Sequence, residues 1–376
     1  MDQNRSLQTS AQRIVVKVGS STLTRNGQIR PRKLGEIARA VCQLVDSGRE
    51  IVLVSSGAVA IGSHRLGWTK PGESIRQKQA AAAVGQIGLS EVYRKRFREQ
   101  EREVAQVLLT RGGLENRERF LNARHTLLEL LRLGVVPIVN ENDTVATDEI
   151  RFGDNDNLSA AVVNLIGAQL LIILTDVDGL YSEPPQGGRQ RGELLDVVDE
   201  ITPAIRAAAQ GSASEFGRGG MVTKIEAAEN AARSGAATVL CNSARPNALL
   251  RVAAGDPEGT LFLPGEPLRG RKHWLAFTAR TQGELTLDGG AIDAVKKHGK
   301  SLLPAGIQSV QGQFGIGDVV TCIDDRGQAL ARGLVAYSSE ELMRIAGRNT
   351  QDIAAVLGFD RGEEAIHRDD LVLTSE

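Results

Sequence analysis

The chain has few cysteines and few aromatic residues. Cys42, Cys241 and Cys322 lie far apart among 376 residues, so the sequence predicts neither a disulfide framework nor a zinc site and favours a reduced, cytoplasmic setting. Aromatic residues make up 3% of the chain, so platforms for stacking nucleic-acid bases are scarce. Other side chains must carry the chemistry.

Long apolar runs and an excess of charge are also missing. The first 13 residues are polar and no apolar run reaches the length of a membrane span, so we expect no signal peptide, no anchor and no membrane partner. The 45 basic and 46 acidic residues nearly balance, which argues against a general nucleic-acid binder. The length predicts two domains in a soluble protein.

Strands and helices alternate through most of the chain. The stretches "RIVVKVGSS" at 13–21 and "EIVLVSSGAVA" at 50–60 are typical of buried strands, and apolar residues at helical spacing between them predict a helix. The alternation predicts an α/β fold with a mainly parallel sheet sandwiched by helices. Short glycine-separated strands near the end predict a small β-rich barrel, so we place the domains at 1–270 and 271–376.

Small polar, acidic and glycine residues follow four of the predicted strands. They are Lys17 and Gly19, then 55–57, then "NEND" at 140–143, then 175–178. Each group alone fits a tight turn. Because open parallel sheets bind ligands at the carboxyl ends of their strands, the four groups together predict one site.

The block "GDNDN" at 153–157 stands directly before a predicted helix. Leu158 and Ser159 occupy positions where a calcium loop needs a ligand and a glycine, which excludes that loop. Two interpretations stay open, since small polar side chains cap helices and also bind ligands.

Three glycine-rich turns, "KVGSS", "SSGA" and "GRGGMVTK", have the form that holds phosphate. Lys17 lies in a buried strand and needs an anionic partner. Lys224 lies in the first turn of its predicted helix, where the dipole disfavours a cation, and a bound phosphate would explain it. Two common nucleotide signatures are absent, because "HGKS" at 298–301 has Ala294 where a Walker A loop needs glycine, and "GRGGMV" has Val222 where a dinucleotide fingerprint needs glycine.

Seven motifs together resemble the amino acid kinase family. In chain order over about residues 12 to 262 they are "VVKVGSSTLT", "VSSGAVAIG", "RERFLNARHTL", "PIVNENDTVA", "FGDNDNLSA", "LTDVDGLY" and "GRGGMVTK". "NENDTVAT", "GDNDNLSA" and "RFLNAR" resemble the branch that phosphorylates the side-chain carboxylate of L-glutamate, the first step of proline biosynthesis. The tail, from about 280 to 364, resembles the PUA domain, a fold better known from RNA-modifying proteins.

This resemblance implies residue roles, ligands and partners. Lys17, Asp156 and Lys224 would be catalytic, with Asp156 organising the two lysines, and Ser56, Asp143 and Asn155 would hold glutamate. The ATP pocket would be lined by Lys17, Thr175, Asp176, Arg218, Gly219, Gly220, Met221, Val222, Thr223 and Lys224. Mg²⁺ would accompany ATP, with no metal ligand assigned to the protein. The family also implies a homo-oligomer, a dimer or a tetramer, and proline as a feedback inhibitor.

Two other functions stay open. The chain could be another kinase of the same fold, such as an acetylglutamate kinase, an aspartokinase or a uridylate kinase. It could also be an RNA-binding regulator that acts through the PUA-like tail. Acidic residues outnumber basic ones by 15 to 12 between 271 and 376, with five aromatics, so we expect no nucleic-acid partner.

Overall fold

The computed structural model describes residues 3–70, 72–145, 155–186, 189–210, 220–265, 281–359 and 362–374. The chain divides into two compact units, Met1–Gly113 with Glu118–Pro267, and Leu114–Arg117 with Leu268–Glu376. No helix in these described ranges is both long and apolar enough to cross a bilayer.

The first unit is built on an eight-stranded sheet. The strands of the unit, in chain order, are β1 (Arg13–Val18), β2 (Thr24–Arg25), β3 (Gln28–Ile29), β4 (Glu50–Ser55), β5 (Val104–Leu109), β6 (Val136–Glu141), β7 (Leu170–Thr175), β8 (Tyr181–Gln186), β9 (Arg189–Leu194), β10 (Val197–Val198), β11 (Ala237–Asn242) and β12 (Thr260–Phe262). The order in the large sheet is β10-β12-β11-β7-β1-β4-β6-β5. Its pairs are parallel except β11 with β12, which confirms the prediction of a mainly parallel sheet.

Helices flank this sheet. They are α1 (Ser6–Ser10), α2 (Ser20–Leu23), α3 (Pro31–Asp46), α4 (Ala58–Arg65), α5 (Ile75–Arg98), α6 (Arg111–Glu115), α7 (Arg117–Arg132), α8 (Asp156–Ile166), α9 (Pro203–Ala208), α10 (Met221–Arg233) and α11 (Ala248–Ala253). All six residues of β6 and of β7 are buried, so both faces of the central sheet are covered.

Two glycines let the helices α4 and α5 touch. A Cβ atom added at Gly62 would lie 1.7 Å from the Ala81 carbonyl oxygen, and one at Gly85 would lie 1.8 Å from that of Ala58. Only glycine leaves room for the two backbones at this separation. The contact fixes the position of α5 against α4, which begins just after the serines that end β4.

Some elements of the first unit escaped the sequence analysis. The strands β8 and β9 form a separate antiparallel hairpin in the proline- and glycine-rich stretch, and β2 and β3 form another. Asn26 and Gly27 turn the second hairpin with φ of 51° and 72°, the left-handed backbone that an Asn-Gly turn supplies.

The second unit contains a five-stranded sheet. Its strands are β13 (Thr281–Leu287), β14 (Ile307–Gly312), β15 (Val319–Ile323), β16 (Ala329–Leu334) and β17 (Leu371–Leu373), in the order β14-β13-β15-β16-β17. Its helices are α12 (Gly289–Lys296), α13 (Ser339–Ile345) and α14 (Ile353–Leu357). The predicted β-rich character is confirmed, whereas the three helices were not predicted. "HGKS" follows a helix, which agrees with its rejection as a phosphate loop.

Candidate active site

Four neighbouring parallel strands bring the predicted strand-end residues to one edge of the sheet. Lys17 lies in β1, in register with Val54 of β4 and Ile173 of β7. Ser56 follows β4, and Thr175 ends β7. Because β7, β1, β4 and β6 are adjacent, their carboxyl ends form a continuous row.

An ion cluster lies at this edge. Asp156 Oδ1 is 2.5 Å from Lys17 Nζ, and Asp156 Oδ2 is 3.1 Å from Lys224 Nζ. Thr223 Oγ1 donates to the same Oδ2 over 2.9 Å. We call Lys17, Asp156 and Lys224 the lysine cluster. Asp156 is fully buried and Lys17 is 4% exposed, so each charge depends on the other for compensation.

The local fold explains how these three side chains meet. Asp156 is the first residue of α8, where the helix dipole favours a negative charge. Lys224 is in the first turn of α10, where the dipole disfavours a positive charge, and its Nζ also donates to the Gly220 carbonyl over 3.4 Å. The anionic partner that Lys17 requires is therefore Asp156, which serves both lysines.

The cap interpretation of the polar block does not hold for Asn155. Asn155 is the N-cap residue of α8, but its side chain makes no capping hydrogen bond. Its Nδ2 donates to the Ser55 carbonyl oxygen over 2.5 Å and to Asn140 Oδ1 over 2.7 Å. The side chain therefore points back across the ends of β4 and β6.

The other two residues predicted to hold glutamate follow the same two strands, β4 and β6. Ser56 is 8% exposed, and Gly57 behind it begins α4 with φ of 101°, a conformation that glycine adopts without strain. Asp143 is half-buried and lies two residues beyond the end of β6.

The residues predicted to line the ATP pocket differ in their solvent exposure. Thr175 is buried and its hydroxyl donates to Oδ1 of the exposed Asp176 over 3.1 Å. Met221 is buried and Val222 is 42% exposed at the start of α10. Arg218 and Gly219, like Asp154 of the polar block, lie outside the described residues.

Several polar residues near the site were not singled out from the sequence. Gln86 Oε1 accepts from Asn140 Nδ2 over 2.6 Å, and Tyr93 OH lies 3.0 Å from Ser55 Oγ. Burial raises the pKa of Tyr93, against the opposing effect of this hydrogen bond. Gln86 and Tyr93 are seven residues apart in α5 and so share a helix face, a spacing that could have suggested a common role.

A second polar group surrounds Asp178, just beyond β7. Asn242 Nδ2 donates to Asp178 Oδ1 over 3.0 Å, and Arg245 Nε donates to the same oxygen over 3.3 Å. The hydrogen bond from Asn242, followed by the contacts with Arg245, lowers the pKa of Asp178 below its ordinary value. Asp178 is therefore stabilised as a carboxylate near the strand-end row.

Comparison with known proteins identifies the class. Residues 12–242 match the model of the amino acid kinase family, and residues 283–357 match that of the PUA domain. The chain belongs to the amino acid kinase family, as its motifs indicated.

Curated relatives named glutamate 5-kinase match almost the whole chain. The one from Nitrosococcus oceani is 48% identical over 375 residues, which are 99% of this chain and 100% of that protein. The one from Citrifermentans bemidjiense is 47% identical over 371 residues, 98% of this chain and 99% of that protein. Among solved structures, a UMP kinase from Bacillus anthracis has a TM-score of 0.47 at 16% identity and covers 69% of this chain and 98% of that chain, a likeness too distant to bear on the site.

Proposed function

We propose that the protein transfers the γ-phosphoryl group of ATP to the side-chain carboxylate of L-glutamate, which gives L-glutamyl 5-phosphate and ADP. The observation that carries this proposal is the lysine cluster, in which a buried aspartate holds two lysines at the carboxyl ends of parallel strands. The name of the relatives supplies the choice of glutamate as acceptor.

The chemistry needs charge neutralisation more than proton transfer. A glutamate side chain has a pKa of about 4.3 and is ionised at neutral pH, so no general base is required. One carboxylate oxygen bonds to the γ-phosphorus while the bond from that phosphorus to the β–γ bridging oxygen breaks. Both reactants are anionic, and cations fixed in a site of low dielectric constant stabilise the charge in the transition state.

In this proposal Lys17 and Lys224 contact the phosphates of ATP and Asp156 fixes the two lysines. Their burial beside Asp156 supports this assignment, since two cations next to a single carboxylate leave a net positive charge that suits a phosphate. Thr175, Asp176 and the stretch from Arg218 to Lys224 would line the nucleotide pocket.

Ser56, Asp143 and Asn155 would hold the amino acid. The carboxylate of Asp143 is the natural partner for the substrate ammonium, because a charge-assisted hydrogen bond is stronger than a neutral one. Asn155 donates to the Ser55 carbonyl oxygen and to the side chain of Asn140, so it lies beside Ser56.

Mg²⁺ would enter with ATP. Within the described ranges, no three His, Cys, Asp or Glu side chains gather as a metal cage. Asp176 presents an exposed carboxylate at the end of β7, and Mg²⁺ binds through one or two carboxylates together with phosphate oxygens and water. The residue fits that role, and we assign Asp176 as the group that would hold the ion, which neutralises phosphate charge when bound.

We assign residues 1–270 to the kinase domain and 271–376 to the linker and PUA domain. Family membership also supports a cytoplasmic homo-oligomer, a dimer or a tetramer, with proline as feedback inhibitor. Light scattering of the purified chain tests the assembly, and a proline titration of the activity tests the inhibition.

The decisive test is ADP release from the purified protein with ATP and Mg²⁺. Glutamate, N-acetylglutamate, aspartate, carbamate and UMP are compared as acceptors, and hydroxylamine traps any acyl phosphate as a hydroxamate. We expect turnover with glutamate alone, with hydroxamate formation, and its loss when EDTA removes Mg²⁺. Turnover with another acceptor instead would overturn the substrate assignment.

A further inference from the structure

A chain of hydrogen bonds leads away from Asn155. Asn155 Nδ2 donates to Asn140 Oδ1 over 2.7 Å, and Asn140 Nδ2 donates to Gln86 Oε1 over 2.6 Å. Gln86 Nε2 then donates to Ser90 Oγ over 3.3 Å, and Ser90 Oγ donates to Gln106 Oε1 over 2.8 Å. We call these five residues the amide relay. It runs from the buried Asn155 to the exposed Gln106.

The backbone fixes the direction of the relay. Asn155 Nδ2 also donates to the Ser55 carbonyl oxygen, and a backbone carbonyl only accepts hydrogen bonds. The amino group of Asn155 must therefore face β4 and β6, where both of its hydrogens are used. Asn140 must offer its oxygen to Asn155 and its amino group to Gln86, so each amide in the relay has one favoured orientation.

This orientation decides what Asn155 offers to a ligand. With both amino hydrogens used inside the protein, its remaining polar atom is Oδ1, which is only an acceptor. An ammonium donates to such an atom, whereas a carboxylate does not. We propose that the amide relay, with Gln86 as its central positioning residue, holds Asn155 so that Oδ1 accepts a hydrogen bond from the substrate ammonium. The inference rests on the proposed function.

The helix α5 controls both partners of Asn155. Gln86 contacts Asn140. Tyr93 OH lies 3.0 Å from the Oγ atom of Ser55, and Asn155 contacts the carbonyl oxygen of that same serine. Gly85, next to Gln86, sets the depth of α5 through its close contact with Ala58. The helix α5 therefore supports the amide orientation from two sides.

Variants of Gln86 test the inference in the full-length protein. Gln86→Leu removes the acceptor of Asn140 Nδ2, and we expect the KM for glutamate to rise about tenfold while kcat and the KM for ATP change less than about twofold. Gln86→Glu keeps an acceptor and should keep the KM for glutamate near that of the unchanged protein. Ile87→Ala is the matched control, because Ile87 is the next residue of α5, is 70% exposed and is not part of the relay.

Inhibition by glutarate, which lacks the ammonium, sharpens the test. Its inhibition constant should stay within about twofold in Gln86→Leu, since the lost interaction involves the ammonium. A parallel rise for glutarate would show a general disturbance of the pocket and overturn the inference.

The outcomes separate the inference from the function on which it rests. If the unchanged protein does not turn over glutamate, both fall. If it does turn over glutamate, three outcomes would overturn the relay alone. They are an unaltered KM for glutamate in Gln86→Leu, an equal rise in the KM for ATP in that variant, and a Gln86→Glu variant as impaired as Gln86→Leu. Should Gln86→Leu fail to fold, Gln86→Met gives the same comparison with a side chain of nearly equal length.

Discussion

The two halves of the candidate site are built from different interactions. The lysine cluster consists of full charges, with a fully buried aspartate between two lysines. The amide relay consists of neutral dipoles joined end to end. The lysine cluster and the inner end of the relay, Asn155 and Asn140, lie at the same row of strand ends, so the difference reflects what each half has to bind.

Full charges and neutral dipoles affect binding and catalysis differently in a buried site. A fixed cation stabilises negative charge that develops on a phosphoryl group, and that effect appears mainly in the rate. A chain of amides supplies direction, because each member determines which atom the next one presents, and that effect appears mainly in affinity. Variants should therefore separate into those that lower kcat and those that raise KM.

The largest effect is expected from the lysine cluster. Asp156→Asn leaves two lysines beside an uncharged amide, so we expect kcat to fall about a hundredfold or more and the free energy of unfolding to fall by about 3 kcal/mol. If Asp156 served only to start α8, the change would cost about 1 kcal/mol and little rate. Steady-state kinetics and urea unfolding measure the two quantities.

A double variant separates charge balance from catalysis. Lys17→Met combined with Asp156→Asn removes one cation and the anion, which restores the net charge that the cluster has in the unchanged protein. We expect stability to recover relative to Asp156→Asn while the rate stays low. Recovery of the rate as well would contradict the assignment of Lys17 to the phosphates.

Asp143 tests the amino-acid half. Asp143→Asn removes the charge that would pair with the substrate ammonium, and we expect the KM for glutamate to rise roughly ten- to a hundredfold with kcat nearly unchanged. Val145→Ala, at a position two residues away that is 67% exposed, is the control. A fall in kcat with an unchanged KM would place Asp143 in the other half of the site.

Sequence patterns predicted the lysine cluster better than the relay. The strand-end rule predicted that Lys17 and Thr175 meet at one edge, the helix dipole drew attention to Lys224, and the family resemblance added Asp156 as the partner of both lysines. Gln86 belongs to a long alanine-rich helix, and a neutral side chain on such a helix gives no signal of its own. Its contact with Asn140 depends on how α5 is rotated and how closely it packs on α4, which the touching backbones at Gly62 and Gly85 determine.

Gly85→Ala tests this dependence with a smaller effect. The added methyl group would lie 1.8 Å from the Ala58 carbonyl oxygen, so α5 must shift, and we expect a loss of about 1–3 kcal/mol in the free energy of unfolding. Because Gln86 moves with the helix, the KM for glutamate should rise more than that for ATP. Gly112→Ala is the control, since no atom lies within 4 Å of a Cβ added there. Equal changes in both KM values would mean that α5 does not serve the amide half specifically.

The smallest effect concerns pH and lies outside both halves. Asp178 has a lowered pKa because Asn242 and Arg245 donate to its carboxylate. Its contribution to stability is therefore fully present above the unfolded value, which is near 3.8, and is lost as pH falls through the lower folded pKa. Since the side chain is 35% exposed, solvent screening limits that contribution to about half a kcal/mol or less.

Asp178→Asn should thus lower the free energy of unfolding slightly at pH 7, and the difference from the unchanged protein should shrink below about pH 4. Urea unfolding at pH 7, 5 and 3.5 measures the difference, with Asp325→Asn at an exposed carboxylate of the second unit as control. A difference that stays constant across this range would mean that the charge of Asp178 contributes nothing. An unchanged kcat in Asp178→Asn would show that Asp178 takes no part in catalysis. The charged half of the site would then consist of the lysine cluster alone.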